Sequence, residues 1–302
     1  MPNAVVMTGY GPPDVLKWRA VTMPEPGVAA QIRIRVRAAG VGPTDLAIRA
    51  GHLSFPLPDT PVLGYEAAGV VDALGPGVSG IELGDEVAVL LFDRGGYAEY
   101  AVASIWAHKP SAVSWTDAAA LTSSMEAAAG VLRQLRVRSG ETLLLLGGGG
   151  SVGLIATQLA VAQGVHVISA VGRRDEGVAA ELGAHPVRYG DGLVGAVRAL
   201  GPVDAVFDAA GKGGLADAVA LVGGPERVVT LSDPTAADHG VTLSVPTADR
   251  APGALDEGLS LLAEGRLRLK SRRNMPMRDA AEAHRLLESG EVRDRIVLTL
   301  DR

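Results

Sequence analysis

The sequence TLLLLGGGGSVGLIATQLAVAQ, residues 142–163, joins a short apolar run, a glycine-rich turn and an amphipathic helix in direct succession. The run at 142–146 is typical of a parallel strand that is buried on both faces. Apolar residues then recur at helical spacing from residue 152 to residue 159, which predicts a helix with one buried stripe. A further apolar strand at 166–171 completes a strand–helix–strand unit, and such units build parallel sheets with right-handed crossovers.

The sequences on the two sides of this unit predict different secondary structure. Towards the C-terminus, strands at 203–207 and 227–231 alternate with helices, which extends the parallel sheet. Towards the N-terminus, residues 31–37 alternate polar and apolar side chains, as a half-buried strand does, and prolines and glycines separate further short strands. The C-terminal residues are predicted to contain a strand at 266–270, a helix at 280–289 and a strand at 295–300.

The glycine-rich turn has the spacing Gly148-x-Gly150-x-x-Gly153 between the strand and the helix. In this context the first glycine permits a tight turn, the second lets the backbone approach a pyrophosphate, and the third lets helix and strand pack closely. The helix N-terminus offers free N–H groups to phosphates. We therefore predict a dinucleotide site whose first contacts are Gly148, Gly150, Ser151, Val152 and Gly153.

The end of the second strand distinguishes the two nicotinamide dinucleotides. An NAD site usually carries an acid about 20 residues beyond the glycines, where it binds the ribose 2′-hydroxyl. This chain has Arg173 and Arg174 at that point, and planar guanidiniums suit the 2′-phosphate of NADPH. We predict NADPH, with Asp175 as the residue that would serve NAD if the turn were tighter.

Composition and charge exclude several classes of function. The chain has 302 residues, a formal net charge of −6 and no cysteine. An acidic chain is unsuited to nucleic-acid binding, and the lack of cysteine excludes disulfides, thiol nucleophiles and Cys-ligated zinc. The uncharged stretch near residues 142–172 contains too many glycines for a membrane-spanning helix. We expect no signal peptide, no membrane contact and a cytoplasmic location.

Several motifs, in order along the whole chain, carry a family resemblance. They include residues 6–16 (VMTGYGPPDVL), 38–45 (AAGVGPTD), 63–71 (LGYEAAGVV), 95–100 (GGYAEY) and 280–290 (AAEAHRLLESG). Together they resemble the zinc-free branch of the medium-chain dehydrogenase/reductase superfamily, close to the quinone oxidoreductases. The resemblance implies an α/β fold: a GroES-like β-barrel catalytic domain at 1–118 and 252–302, and a Rossmann doubly wound parallel-sheet domain at 119–251. It also implies a cleft between the domains and a homodimer.

Two departures from the superfamily concern its metal. Where zinc-dependent members have a cysteine and a histidine, this chain has Gly42 and Tyr65. We therefore predict that no metal site of that kind forms. The quinone reductase branch often has Asn at the position of Gly42, and Gly-Leu-Thr at the position of Met125-Glu126-Ala127, so the substrate is left open.

The resemblance also suggests residues for the chemistry. Tyr65 stands where the zinc would be and could donate a hydrogen bond to a developing oxyanion, although a packed aromatic is the alternative. Thr44 matches a proton-relay hydroxyl, with the N-cap of a short helix as its alternative. Gly42, Tyr65, His52 and Glu126 are the predicted substrate contacts, while a solvated helix residue is the alternative for Glu126. Asp45 and Glu66 are interpreted as structural acids.

Two further turns complete the predicted cofactor site. Ala209 and Gly211 follow one strand of the parallel sheet, and Leu231 and Ser232 follow the next. Ligands bind at the carboxyl ends of the strands in open α/β sheets. The leading hypothesis is an NADPH-dependent, metal-independent reductase of quinones or α,β-unsaturated carbonyls. The alternatives are a secondary-metabolism tailoring reductase acting on one enone or ketone, and a protein that binds NADPH without turnover as a sensor or structural element.

Overall fold

The computed structural model describes residues 1–28, 30–53 and 57–300. Within them the chain forms, in order, β1 (Asn3–Met7), β2 (Leu16–Ala20), β3 (Ile32–Gly40), α1 (Pro43–Ala50), β4 (Glu66–Leu74), β5 (Glu86–Leu90), β6 (Tyr100–Ala103), β7 (Ile105–His108), α2 (Trp115–Leu135), β8 (Thr142–Leu146), α3 (Ser151–Ala162), β9 (His166–Val171), α4 (Glu176–Glu181), β10 (His185–Arg188), α5 (Leu193–Leu200), β11 (Ala205–Asp208), α6 (Leu215–Val222), β12 (Val228–Thr230), β13 (Thr242–Leu243), α7 (Ala254–Ala263), β14 (Arg272–Pro276), α8 (Ala280–Ser289) and β15 (Arg295–Thr299).

The chain divides into two compact units. The first unit comprises Met1–Ser123, Leu255–Arg266 and Lys270–Arg302, and the second comprises Ser124–Ala254 and Leu267–Leu269. The domain boundaries predicted from the sequence stay a prediction, and residues 301 and 302 of the predicted catalytic domain lie outside the described residues.

The first unit is built on a mainly antiparallel sheet. Its strand order is β14-β15-β3-β4-β5-β7, and β6 also pairs with β3. Along β3 the side chains alternate between buried and partly exposed, as the period-two pattern of the sequence predicts. Ile32, Ile34 and Val36 point into an apolar core that also contains Val89 and Leu298.

The second unit is built on a parallel sheet with strand order β10-β9-β8-β11-β12-β13. Numbered from β8, this order is 3-2-1-4-5-6, that of the dinucleotide-binding doubly wound fold. β8 is central, and its residues 143–146 are almost completely buried, which explains why this strand is apolar on both faces. The predicted doubly wound sheet is therefore confirmed.

Two predictions about elements were wrong or incomplete. The strand expected at 266–270 does not form, and the strand begins instead at Arg272. The backbone N–H of Arg268 donates to Oε1 of Gln158, and Nε2 of Gln158 donates to the Arg268 carbonyl, so a side chain takes the place of a neighbouring strand. The short edge strand β10, in which Pro186 weakens the strand pattern, was not predicted, and neither was helix α5.

Across the described ranges, no helix combines the length and apolar character needed to cross a bilayer.

Candidate functional site

The glycine-rich turn between β8 and α3 is tightly constrained. A Cβ at Gly153 would collide with the carbonyl oxygen of Gly147, and a Cβ at Gly148 would collide with Oγ of Ser169. Gly153 therefore allows α3 to pack against the turn, as the motif predicts. At Gly150 a Cβ would stand 3.2 Å from the Gly147 carbonyl oxygen, which is a tight contact, and Gly150 itself is partly exposed.

The N-terminus of α3 fits an anionic group. Its N-cap residue, Gly150, has extended backbone, and no side chain caps the helix there. The first-turn N–H groups of an α-helix have no acceptor within the helix, and the helix dipole favours negative charge at this end. The first turn carries no acidic residue, and Ser151 and Val152 are partly exposed. The residues present therefore fit the pyrophosphate of a dinucleotide.

The loop after β9 carries charges of both signs and brings its acid to the glycine-rich turn. Arg173 and Arg174 are both exposed. Oδ2 of Asp175 lies over the turn, 2.5 Å from the point where a Cβ at Gly149 would stand. Beside them, Arg188 forms an ion pair with Glu176 and lowers the pKa of that carboxyl. Asp175, the residue that would serve NAD, therefore lies closer to the glycine-rich turn than its position two residues beyond Arg173 in the sequence indicates.

Tyr189 also reaches this turn, and sequence reasoning missed it. The backbone of Gly147 makes a hydrogen bond to the Tyr189 phenol, and burial is the largest cause of a raised Tyr189 pKa. Tyr189 directly follows β10, and that strand was itself not predicted. A search for aromatic residues after each strand of the parallel sheet would have found it.

The turns after β11 and β12 meet beside the glycine-rich turn. The N–H of Ala209 donates to the Leu146 carbonyl at 2.9 Å, which links this turn to the end of β8. Gly211 has a φ of +58°, and a Cβ there would collide with Oγ of Ser232. The N–H of Leu231 donates to the Asp208 carbonyl at 3.0 Å. The structure therefore brings together all four residues predicted for these turns.

The buried side chain of Asp208 connects the turn after β11 to the end of β12. It is fully buried, and Oδ1 accepts from the N–H groups of Ala210 and Gly211, at 3.0 Å each. Oδ2 accepts from the hydroxyl of Thr230 at 2.8 Å. One carboxylate therefore joins the ends of β11 and β12. The strand order of the sheet reverses between β8 and β11, next to this carboxylate, and such folds bind nucleotides at the reversal.

In the first unit, Asp45 organises the start of helix α1. Its Oδ2 accepts from the N–H of Gly42 at 2.9 Å, and its Oδ1 accepts from the N–H of Gly64 at 3.0 Å. Gly42 is the N-cap and Thr44 lies exposed within the first turn, so the N-cap alternative for Thr44 is wrong. Asp45 thereby brings Gly42 close to the residue before Tyr65, which confirms its interpretation as a structural acid.

The environment of Asp45 and Tyr65 raises both pKa values. Burial raises the pKa of Asp45 to about 6, partly offset by the Gly42 hydrogen bond. Tyr65 is partly buried, and its pKa is raised first by burial, with Asp45 and Asp93 adding to the rise and Arg94 opposing it. The phenol is thus protonated at neutral pH and can donate a hydrogen bond.

The other two predicted substrate contacts have different surroundings. His52 is exposed, and its backbone N–H donates to the Ala47 carbonyl at 2.9 Å. Glu126 is buried in the second unit, and both carboxylate oxygens accept hydrogen bonds from Arg250. The alternative of a solvated Glu126 is therefore wrong, and any substrate contact of this carboxylate competes with its ion pair.

Potential metal ligands do not cluster in the part of the chain that the structure describes: no three His, Asp or Glu side chains converge there.

Two family models match the chain. The alcohol dehydrogenase GroES-like domain matches residues 28–111, and the zinc-binding dehydrogenase model matches residues 182–298. Quinone oxidoreductase of Sus scrofa is 35% identical over 192 residues, which cover 61% of this chain and only 57% of that protein. Quinone oxidoreductase of Pseudomonas aeruginosa is 29% identical over 313 residues, covering 94% of this chain and 95% of that protein.

A solved structure is similar along its whole length. The Escherichia coli quinone oxidoreductase, solved in complex with NADPH, superposes with a TM-score of 0.86 at 25% identity, covering 99% of this chain and 100% of that chain. The similarity therefore includes both units of the chain.

Proposed function

The chain belongs to the medium-chain dehydrogenase/reductase superfamily, in its quinone oxidoreductase branch, and we propose that it is an NADPH-dependent, metal-independent reductase of quinones or α,β-unsaturated carbonyls. The observation that carries the proposal is the meeting of the glycine-rich turn with the turns after β11 and β12. The residues predicted to hold the cofactor, apart from the two arginines, lie in these three turns or in the first turn of α3, which supports the proposal.

Each part of this site would hold a different part of the cofactor. The partly exposed backbone at Gly150 and the first-turn N–H groups of α3 would bind the pyrophosphate. Arg173 and Arg174 would bind the 2′-phosphate through exposed guanidiniums. Ala209, Gly211, Leu231 and Ser232 would line the nicotinamide end. Bound NADPH supplies the hydride, and its binding to the E. coli relative supports this cofactor.

The first unit would handle the substrate oxygen. Tyr65 would donate its phenolic proton to the oxygen that becomes negative when hydride reaches the acceptor carbon. Thr44, exposed in the first turn of α1, is the second hydroxyl available for the proton. Gly42, His52 and Glu126 remain the proposed contacts that select the substrate.

The residues at the positions of the zinc ligands support metal independence. Gly42 has no side chain, and a phenol such as Tyr65 with a raised pKa is a poor zinc ligand. The proposed reaction therefore relies on hydrogen bonds to polarise the acceptor.

The test is consumption of NADPH by the purified protein, followed at the absorbance of the reduced nicotinamide. We expect steady oxidation with 1,4-benzoquinone or a simple enone, unchanged by a chelator and slower with NADH. Turnover of a single biosynthetic enone but of no simple quinone would favour the tailoring reductase. NADPH binding without oxidation by any acceptor would favour the sensor and contradict the proposal.

A further inference from the structure

Gly42 leaves a gap beside a buried ion pair. A Cβ at Gly42 would stand 3.6 Å from Nη1 and 3.8 Å from Nη2 of Arg295, and 3.6 Å from Oδ2 of Asp45. Gly42 is partly exposed, whereas the Arg295 side chain is only 10% exposed. A ligand atom that takes the place of a side chain at residue 42 would therefore contact the guanidinium.

Arg295 is held rigidly and keeps its charge. Nη2 forms an ion pair with Oε1 of Glu66, whose other oxygen accepts from the N–H and the hydroxyl of Ser123, at 2.8 and 2.7 Å. Burial lowers the pKa of Arg295, but Glu66 and Asp45 outweigh it and the pKa is raised overall. Nε of Arg295 is buried and has no hydrogen-bond partner among the described residues. The guanidinium is thus a fixed cation with donors to spare.

We propose that Arg295 is a catalytic residue that binds the substrate's carbonyl or quinone oxygen through the gap at Gly42. This rests on the proposed reductase function. When hydride brings two electrons to the acceptor carbon, the π electrons shift to oxygen, and a proton from Tyr65 or water completes the reduced product. The cofactor leaves oxidised, and Arg295 keeps all its protons. A preorganised cation in a poorly hydrated site is a strong stabiliser of such an oxyanion.

Two variants test the proposal by different routes. Gly42→Ala fills the gap, and because its Cβ would meet only ordinary van der Waals contacts, the fold should be retained. Glu66→Gln/Arg295→Met removes both charges of the ion pair, so that Glu66 is not left as a buried carboxylate without its partner. The control is Asp72→Asn/Arg33→Met, which removes another ion pair of the same unit.

The first readout needs no turnover. The probe is 4-nitrophenol, whose bound phenolate mimics the oxyanion and whose ionisation is followed by visible absorbance. An opposite charge within about 4–6 Å lowers a pKa by about 1–3 units. We expect the pKa of the bound probe to fall by at least about one unit in the wild type and in the control. In both test variants it should return to its value in water.

The second readout is turnover with 1,4-benzoquinone. Loss of one oxyanion donor lowers kcat by about 10²–10³-fold. We expect this loss in Glu66→Gln/Arg295→Met, with the Kd for NADPH unchanged. A raised Kd with unchanged kcat would assign Arg295 to the cofactor and overturn the proposal. So would a wild-type protein that does not lower the probe's pKa, or test variants that still lower it. A wild type that cannot oxidise NADPH with any acceptor would contradict the reductase function instead, whatever the probe shows.

Discussion

Arg173, Arg174 and Asp175 are three consecutive charged residues with opposite consequences for the cofactor. The guanidiniums are exposed, while the carboxylate lies over Gly149. A 2′-phosphate is attracted by the first two and repelled by the third, whereas a ribose hydroxyl can donate to the carboxylate. Cofactor preference therefore depends on which of these groups the ribose meets.

Removing the two guanidiniums should weaken NADPH binding selectively. We expect Arg173→Ala/Arg174→Ala to raise the Kd for NADPH by about 10²-fold, since each charge-assisted contact contributes about 1.5 kcal/mol. The Kd for NADH should change little. Asp175→Asn should shift the preference further towards NADPH, and Arg198→Ala, an exposed arginine on α5, is the control. Fluorescence titration of the wild type and the three variants measures the Kd values. If the ratio of the Kd for NADPH to the Kd for NADH is unchanged in the double variant, the 2′-phosphate binds elsewhere.

Tyr65 should matter for kcat rather than for cofactor binding. We expect Tyr65→Phe to lower kcat with 1,4-benzoquinone by about 10²-fold, because one donor to the oxyanion is lost. The proton donor acts in its protonated form, and because burial raises the pKa of Tyr65, the wild type should lose no activity from ionisation of this group near neutral pH. An unchanged kcat in Tyr65→Phe would leave the phenol with a packing role only.

At the scale of elements, the turn between β8 and α3 needs glycine for packing as well as for binding. We expect Gly153→Ala to abolish NADPH binding and to lower the free energy of unfolding by about 1–3 kcal/mol, because its Cβ would collide with the Gly147 carbonyl. Gly177→Ala is the matched control, since Gly177 lies in helix α4 with nothing within 4 Å of its Cβ position. It should stabilise the protein by about 0.5–1 kcal/mol. Urea unfolding and NADPH titration of both variants give the comparison, and equal behaviour would refute the packing role.

The elements differ in how far local sequence predicts them. The bounds of β9 and α8 agree with the sequence pattern, because β9 is a continuous run buried on both faces and α8 has a buried stripe at helical spacing. The stretch 266–270 alternates polar and apolar residues as a strand does but forms no strand, since Gln158 satisfies the backbone of Arg268. The alternation correctly indicates that Leu267 is buried, but it does not indicate which groups form hydrogen bonds with the backbone.

At the scale of the whole molecule, His284 links stability to pH. It is fully buried, and burial, followed by the charge of Arg49, lowers its pKa from 6.5 to about 3. Between these values the unfolded chain binds a proton that the folded chain does not, so stability is full well above pH 6.5 and falls as the pH drops through 6.5 towards 3. Asp45 acts in the opposite sense: its raised pKa means that the folded chain binds the extra proton between pH 3.8 and about 6.

A variant separates the two effects. The unfolding free energies of the wild type and of His284→Gln should be compared in urea at pH 8 and pH 5. We expect the wild type to lose about 2 kcal/mol relative to the variant over this interval, because 1.36 kcal/mol corresponds to one pKa unit. Asp45 is present in both proteins, so its contribution cancels. If the difference in unfolding free energy between the two proteins is the same at both pH values, His284 is protonated in the folded state or its surroundings unfold locally before the rest of the chain.

Some features of this protein follow from the amino-acid sequence alone, and others depend on the tertiary structure. The amino-acid order alone was sufficient for the fold class and for the residues of the glycine-rich turn, because both arise from side-chain periodicity and backbone sterics within a few residues. Tertiary structure was needed for Asp175 over Gly149, for the Glu126–Arg250 ion pair and for Arg295 beside Gly42. The last two join residues 124 and 253 positions apart in the chain, and electrostatic interactions at such separations depend on distances in space that no local pattern encodes.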